Sequence, residues 1–380
     1  MRPHVRPRWL PLLSVVALLT LPLPAPPAEA ATDYEAIWAG VDHTCAITPD
    51  GAADCWGRNE YGQGTDRPGP YLEVSAGGLH NCALTPAGAA DCWGLDADGE
   101  AADRPGPYTQ VVAGWRHTCA LTPAGAADCW GYNGGGQSED QPGPFTELTI
   151  SGGHNCGLTP EGVADCWGNN RAGLAEDHAG PYTQVSAGDG HNCALRTTGA
   201  VDCWGLPADG QSKDKPGPFT QVSAGDHHNC ALKPSGAVHC WGNDTFGQAA
   251  DRQGPFAEVS AGSYHTCAVT SEGDVTCWGA NDHGQLGRRL SLRAPSRVEA
   301  GMRVPISGRL WSIDPACIAA KTVTLQILRP VVATRSATTD GSGRYAFTRK
   351  ITRDTTLRVR FGAEPGCESV RSRARLVATA

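Results

Sequence analysis

The chain has 380 residues, a formal net charge of −8, sixteen cysteines, 48 glycines and 28 prolines. That length accommodates more than one domain, and the net charge conceals a division: residues 31–287 hold 10 Lys/Arg against 32 Asp/Glu, while residues 288–380 hold 18 against 6. The acidic segment would repel phosphates, so no nucleic-acid partner is expected.

Arg2, Arg6 and Arg8 precede an apolar stretch from Trp9 to Pro24, and Ala28-Glu29-Ala30 puts small residues where a signal peptidase reads. Residues 1–30 therefore read as a signal peptide. Pro22, Pro24, Pro26 and Pro27 cut the apolar run short of a membrane span, no cysteine follows it to carry a lipid, and no later segment is apolar enough to cross a bilayer. Export places the cysteines where disulfides persist. Scarce lysine beside abundant Ala, Gly, Arg and Pro points to a GC-rich bacterial genome.

From residue 34 the chain repeats every 37 residues, seven times without an insertion. Cys45, Cys82, Cys119, Cys156, Cys193, Cys230 and Cys267 form one series. Cys55, Cys92, Cys129, Cys166, Cys203, Cys240 and Cys277 form a second, each followed by Trp. A His stands two places before each first cysteine, from His43 to His265, and an aromatic opens each unit, from Tyr34 to Phe256. Within a unit the pattern predicts short strands. In the second, Glu73-Val-Ser-Ala76 and His80 to Thr85 are strands, Pro86-Ala-Gly88 turns, Ala89 to Trp93 returns, and a glycine-rich loop leads to Pro105-Gly-Pro107. No segment has a helical period. One sheet's worth of strands must stack against its neighbours to bury a core, so the chain is expected to be all-β, a seven-bladed propeller over residues 31–290.

The hairpin turn of the first unit centres on residue 50, equidistant from Cys45 and Cys55. Opposed positions on antiparallel strands lie about 4.5–5.5 Å apart, within disulfide reach. Seven such bridges are predicted, Cys45–Cys55 through Cys267–Cys277. Zinc ligands would need a spacing of about two to four residues, which these cysteines lack.

Ser260-Ala-Gly-Ser-Tyr-His-Thr-Cys-Ala-Val269 and Trp278-Gly-Ala-Asn-Asp-His-Gly-Gln285 resemble repeats of the regulator of chromosome condensation family. The short unit is similar in length to that of seven-bladed beta-lactamase inhibitory propellers. The resemblance covers residues 34–287 and implies the propeller fold. It does not carry function: the nuclear members exchange guanine nucleotides on a small GTPase, which an exported bacterial protein would not meet. The paired cysteines depart from the inhibitor pattern, and Ser151 stands where the other six units have glycine.

Seven histidines at one repeat position suggest metal, but they would have to crowd within about 4 Å of the axis to share a zinc with Zn–N bonds near 2.0–2.1 Å. They read better as structural hydrogen-bonders, so no metal or other cofactor is expected. Asp54, Asp91, Asp128, Asp165 and Asp202 precede the Cys-Trp pair, at a position read as solvated or channel-lining. Asp96, Asp98 and Asp103 could hold calcium through oxygen ligands, although the full loop pattern is missing and a solvated acidic loop is the plainer reading. With every cysteine paired there is no thiolate, and no residue stands out from the repeat as an activated group, so an enzyme is not expected.

What differs between units is more informative. The pairs before each His are Val41-Asp42, Gly78-Leu79, Trp115-Arg116, Gly152-Gly153, Asp189-Gly190, Asp226-His227 and Ser263-Tyr264. The loop after each Trp varies at Tyr61, Asp98, Asp209, Phe246 and His283. Varied loops on a constant scaffold suggest a recognition face. In the similar inhibitors, aromatic residues at the pre-His positions contact the enzyme, which by position implies Trp115, Arg116, His227 and Tyr264 here, with Tyr61 and Phe246 beside them.

Residues 296–380 alternate like strands, at Val304–Leu310, Thr322–Leu328, Tyr345–Thr348 and Thr356–Phe361. The turn from Thr339 to Phe347 resembles bacterial immunoglobulin-like and carboxypeptidase-regulatory-like modules. A small β-sandwich with a Cys317–Cys367 bridge is expected, its positive charge suited to an anionic cell surface or to the acidic propeller. The leading functional reading is a secreted binder of an extracellular or cell-envelope protein, an inhibitor or adaptor. A cell-wall or carbohydrate lectin and a purely structural surface protein are the alternatives.

Overall fold

A computed structural model describes residues 34–287, 289–290, 294, 297–311, 320–329, 333–341, 344–361, 370–371 and 375–379. Residues 1–30, and with them the signal-peptide reading, lie outside these, as do Cys317 and Cys367 with their expected bridge.

The chain is essentially all-β, built from repeated three-stranded antiparallel sheets. In the first repeat, β1 (Ala36–Ala39), β2 (His43–Ile47) and β3 (Ala53–Gly57) lie in that order. Each later repeat gives an equivalent sheet. A single bridge beyond the third strand, such as Ala53 to Arg67, adds the rudiment of a fourth. The turn after β2 needs glycine: Gly51 has φ +77°, and a Cβ there would lie 3.1 Å from Pro70.

The hairpin register pairs Cys45 with Cys55, and its equivalents do the same through Cys267 with Cys277. All seven predicted bridges within the repeats are present, with Cα atoms 4.0–4.1 Å apart. Each closes a short loop, for which about 2–4 kcal/mol of stabilisation is typical.

Such small sheets cannot form one common core. The apolar residues instead gather in clusters that each span a seam between consecutive sheets. At the first seam Ile47, Ala53 and the Cys45–Cys55 bridge meet Tyr71, Val74, Ala83 and Trp93 of the second sheet. At the last, Cys267 and Val269 meet Ile37 and Ala46 of the first. The Ser263 amide also donates to the Gly40 carbonyl, so the final repeat sheet packs on the first in a propeller-like ring.

The repeated His-Asn/Thr-Cys motif is the polar half of every seam. His43 Nε2 pairs with Asn81 Oδ1 of the next sheet at 2.7 Å, and His80 with Thr118, His117 with Asn155, His154 with Asn192, His191 with Asn229 and His228 with Thr266 continue the pattern. His265 with Thr44, at 2.9 Å, completes the circuit. Each Asn or Thr in turn donates back to a loop carbonyl of the preceding sheet, as Asn81 does to Gln63 O and Thr44 to Gln285 O. The acceptor is a carbonyl, or a hydroxyl already donating elsewhere, so the histidine must supply the proton from Nε2. Its Nδ1 is left facing the glycine three residues upstream, where a Cβ at Gly40 would come 3.0 Å from His43 Nδ1. Ser151 replaces that glycine beside His154, and its hydroxyl reaches His154 Nδ1 at 3.3 Å. Burial pushes these histidines down, His43 to about 4 and His265 to about 3, which keeps them neutral.

Two further clips tie the innermost strands together. Ser75 Oγ accepts from the Ala113 amide at 2.9 Å and Glu73 Oε1 from the Val111 amide at 2.6 Å. Ser186 and Gln184 do the same for Ala224 and Val222.

After the repeats, Arg303–Trp311 and Arg344–Lys350 pair in one sheet, and Thr322–Arg329, Ala333–Thr338, Thr355–Phe361 and Arg375–Thr379 belong to another. Ile306, Leu310, Leu325, Ile327, Phe347, Leu357, Val359 and Phe361 form their shared core. Arg344 Nη2 approaches Asp274 of the last repeat at 3.7 Å.

Candidate functional site

The loops that vary between repeats emerge on one side of the ring. β1 ends, β2 begins and β3 ends at that side, since Ala39 pairs with Thr44 and His43 with Gly57. Residues 40–42 and 58–66 therefore come out together, and backbone bonds join them: Arg58 N donates to Asp42 O, Tyr132 N to Arg116 O, Asn243 N to His227 O and Ala280 N to Tyr264 O.

The Gly-Gln turn shapes the longer loop. Gln63 Oε1 accepts from Tyr61 N and Asn59 Oδ1 from Gly64 N, and the same pattern recurs around Gln248 and Asp244. The backbone amide of position 61 is thereby fixed while its side chain stays free. Tyr61 and Phe246 are 46% and 51% exposed.

Of the six residues named from sequence, three converge. Tyr264 and His227 pair at 3.0 Å between hydroxyl and Nε2 with ring centroids 5.0 Å apart, and Phe246 meets Tyr264 edge-on at 5.6 Å. Trp115, 50% exposed, lies against Gly78 of the preceding repeat, where a Cβ would fall 1.8 Å from its Cδ1. Arg116 turns aside, bonded to Asp98 at 2.5 Å and lying 5.0 Å over the Tyr132 ring. Tyr132, 43% exposed, was not among the six. Its signal was an aromatic directly after Trp-Gly, where the other repeats carry Arg, Leu, Asn or Ala. Tyr61 makes no ring contact with the others among the described residues.

At the centre of this face the first residue of each variable pair borders the axis. Val41, Gly78, Trp115, Gly152, Asp189, Asp226 and Ser263 line a cavity of about 100 Å³, walled below by Ala39, Ala76, Ala113, Ala187, Ala224 and Ala261. Burial raises Asp226 to about 6, and its hydrogen bond to Ser263 acts against that rise. The hydroxyl of Tyr264 is pushed up, by burial first and then by Asp226, Asp42 and Asp189.

Other acidic candidates have structural tasks. Asp54 Oδ2 accepts from the Tyr34 hydroxyl at 2.7 Å, and Asp91, Asp128 and Asp202 serve Tyr71, Tyr108 and Tyr182 likewise. Asp165 sits in the repeat that opens on Phe145, which has no hydroxyl, but these four pre-Cys aspartates are neither simply solvated nor channel-lining. They anchor the opening tyrosine across the sheet, and where that aromatic is Phe219 the position holds His239 stacked on it. Asp103 accepts from Cys92 N, Asp96 from Ala101 N, and Asp98 pairs with Arg116, so backbone and guanidinium donors occupy the three carboxylates considered for calcium. The seven repeat histidines are committed to the seams and do not converge.

Residues 36–63, 108–137, 182–211, 219–248 and 256–285 match the regulator of chromosome condensation (RCC1) repeat. The chain carries RCC1-type repeats. Every match ends on the glutamine of the loop, Gln63, Gln137, Gln211, Gln248 or Gln285, and the two unmatched units carry Glu100 and Leu174 there. The arrangement of sheets is similar to the CRINKLY WD40 ectodomain from the Arabidopsis thaliana receptor kinase ACR4, with a TM-score of 0.55 and 25% identity over 66% of this chain and 96% of that one. No curated protein matches the chain. RCC1-type and WD40-like propellers are scaffolds for interaction, and the intrachain disulfides together with an ectodomain as structural neighbour fit an extracellular protein. No helix among the described residues is long and apolar enough to cross a membrane.

Proposed function

We propose that the chain is an exported, non-enzymatic, seven-bladed propeller that recognises another extracellular or cell-envelope protein through the face built by residues 40–42, 58–66 and their equivalents. The observation that carries this reading is where the exposed aromatics stand. Tyr61, Trp115, Tyr132 and Phe246 all lie on that face, and Leu72 is the one other large exposed hydrophobic of the repeats among the described residues. Grouped exposed apolar side chains mark interaction sites, and Trp, Tyr and Arg dominate interface energies.

The repeat cysteines are all paired and the repeat histidines are buried and neutral, which supports a scaffold rather than a catalyst. The disulfides support an oxidising compartment. In this reading residues 1–30 direct export, residues 31–290 form the propeller, and the basic β-sandwich of residues 296–380 holds the protein at an anionic surface.

The test is affinity capture from culture supernatant and cell envelope with the wild type and a Trp115→Ala/Tyr264→Ala double variant. The face is the binding site if capture of a defined protein is lost in the double variant while its melting temperature stays within a few degrees. Unchanged capture sinks it, and capture of glycan without protein moves the reading to a lectin.

A further inference from the structure

Two cations of the proposed face, Arg58 and Arg116, are already spoken for. Arg58 is held by Asp42 at 3.3 Å and Glu60 at 2.7 Å, and Arg116 by Asp98 at 2.5 Å and by the Tyr132 ring. Its carboxylates are not balanced in the same way. Among the described residues, Asp189, Asp209, Asp226 and Asp244 have no lysine or arginine partner: Asp209 accepts from the Asn243 amide group, Asp244 from Ala249 N, and Asp226 from Ser263. Asp189 leans across the repeat boundary, its Oδ1 only 1.9 Å from where a Cβ on Gly152 would stand. Asp189 and Asp226 share the axial cavity with Trp115, over a wall of alanine and glycine.

We infer that the partner protein presents a basic, apolar protrusion, with one Lys or Arg side chain entering the axial mouth between Trp115 and the Asp189–Asp226 pair. This rests on the protein-binding reading and specifies its chemistry. The apolar stem of a lysine or arginine packs on alanine walls while its charged head meets carboxylate. A cation near an indole face gains further attraction. The same charge relieves repulsion between Asp189 and Asp226. Elsewhere on the same face, Phe246, Tyr264 and Tyr132 offer rings to apolar neighbours of that side chain. An acidic partner would meet like charge at the mouth.

The probes are fluorescent twelve-residue peptides of alternating Leu and Arg, Leu and Gln, or Leu and Glu, titrated by anisotropy into the full mature chain. The expected order is Arg over Gln over Glu. Binding of the Arg peptide should fall about tenfold or more in Asp189→Asn/Asp226→Asn and in Trp115→Ala, with a shallower salt dependence in the former. Glu161→Gln/Glu272→Gln, in the turns on the opposite side of the ring, reports general attraction to an acidic protein and should leave binding unchanged. Equal losses in both double variants, tighter binding of the Glu peptide, or no loss in Asp189→Asn/Asp226→Asn overturns the proposal. Salt-sensitive self-association abolished by Asp189→Asn/Asp226→Asn also overturns it, by assigning the mouth to the arginine-rich residues 288–380 of a second copy. If Trp115→Ala/Tyr264→Ala loses its captured partner while Asp189→Asn/Asp226→Asn keeps it, the face stands and only its charge preference fails.

Discussion

The first seam of the ring differs from the others. Between the sixth and seventh sheets, Gln221 and Ser223 accept from the amides of Val259 and Ala261, both at 2.9 Å. Between the seventh and first, Glu258 and Ser260 serve Ile37 and Ala39. The third seam keeps one clip, with Gln110 bonded both ways to Leu148. At the first seam the equivalent residues are Ala36 and Trp38. Alanine has no acceptor and indole only a donor, so nothing there can hold the amides of Val74 and Ala76. Trp38 packs instead on the cluster of Cys45, Ile47, Tyr71 and Val74. One repeat period therefore tolerates two ways of joining sheets, polar clips or a large apolar side chain, over a constant histidine link.

That contrast can be tested, beginning with the shared link. His43→Ala at the first seam and His191→Ala at a clipped one should each cost about 3 kcal/mol or more, from a lost buried side chain and an orphaned Asn81 or Asn229. Chemical denaturation should show the larger loss for His43→Ala, because Ala36 and Trp38 offer no polar support. Equal losses would mean that the clips add nothing. Trp38→Ala should cost about 2–4 kcal/mol, the penalty of emptying an apolar contact, against about 1 kcal/mol for Ser75→Ala.

The glutamate clips add a pH dependence that the first seam lacks. Burial raises Glu73, Glu147 and Glu258 to about 7, while the amides they accept from act against the rise. A carboxyl whose folded pKa lies above its unfolded value binds more protons when folded, so stability falls as pH rises from about 4.5 to about 7. The buried histidines act oppositely: their stability is present above about pH 6.5 and is lost as pH falls toward 3–4. Glu73→Gln, the side chain already used at Gln110, Gln184 and Gln221, should raise stability at pH 8 by about 1–2 kcal/mol and leave it nearly unchanged at pH 4.5. Thermal melts at the two pH values read this directly, and an equal shift at both would remove the titration from the account.

The smallest effect is local. In amide hydrogen exchange, Val74 and Ala76 should exchange faster than Val111, Ala113, Val222 and Ala224, and Ala36→Gln should slow Val74 while adding about 0.5–1 kcal/mol. Protection of Val74 equal to that of Val222 before any substitution would show that the first seam is closed by other means.

Much of the fold was legible because it is local. Cys45 and Cys55 sit symmetrically about a turn within one hairpin, so pairing followed from counting. The histidine's structural part was legible from its recurrence, though its partner was not: Asn81 is one repeat and one residue further on, and sequence spacing does not say how sheets lean on one another. The pre-Cys aspartates were misjudged for a similar reason, since Tyr34 and Asp54 meet only once the first and third strands are placed in one sheet. On the variable face, Trp115 and Phe246 stood out as aromatics in changing loops. Tyr132 did not, because its exposure depends on how the loop after Trp130 turns outward.

The sequence by itself determined the repeat, the all-β character, the cross-strand spacing of the disulfides within each hairpin and the division into acidic and basic segments, all properties of neighbours along the chain. Only the tertiary structure decided that His227, Phe246 and Tyr264 share a cluster, that Asp189 and Asp226 share a cavity with Trp115, and that the first seam lacks its clips. Those residues are brought together by packing one sheet on the next, and hydrogen bonds and ring contacts depend on distances of a few ångströms that a 37-residue period does not encode.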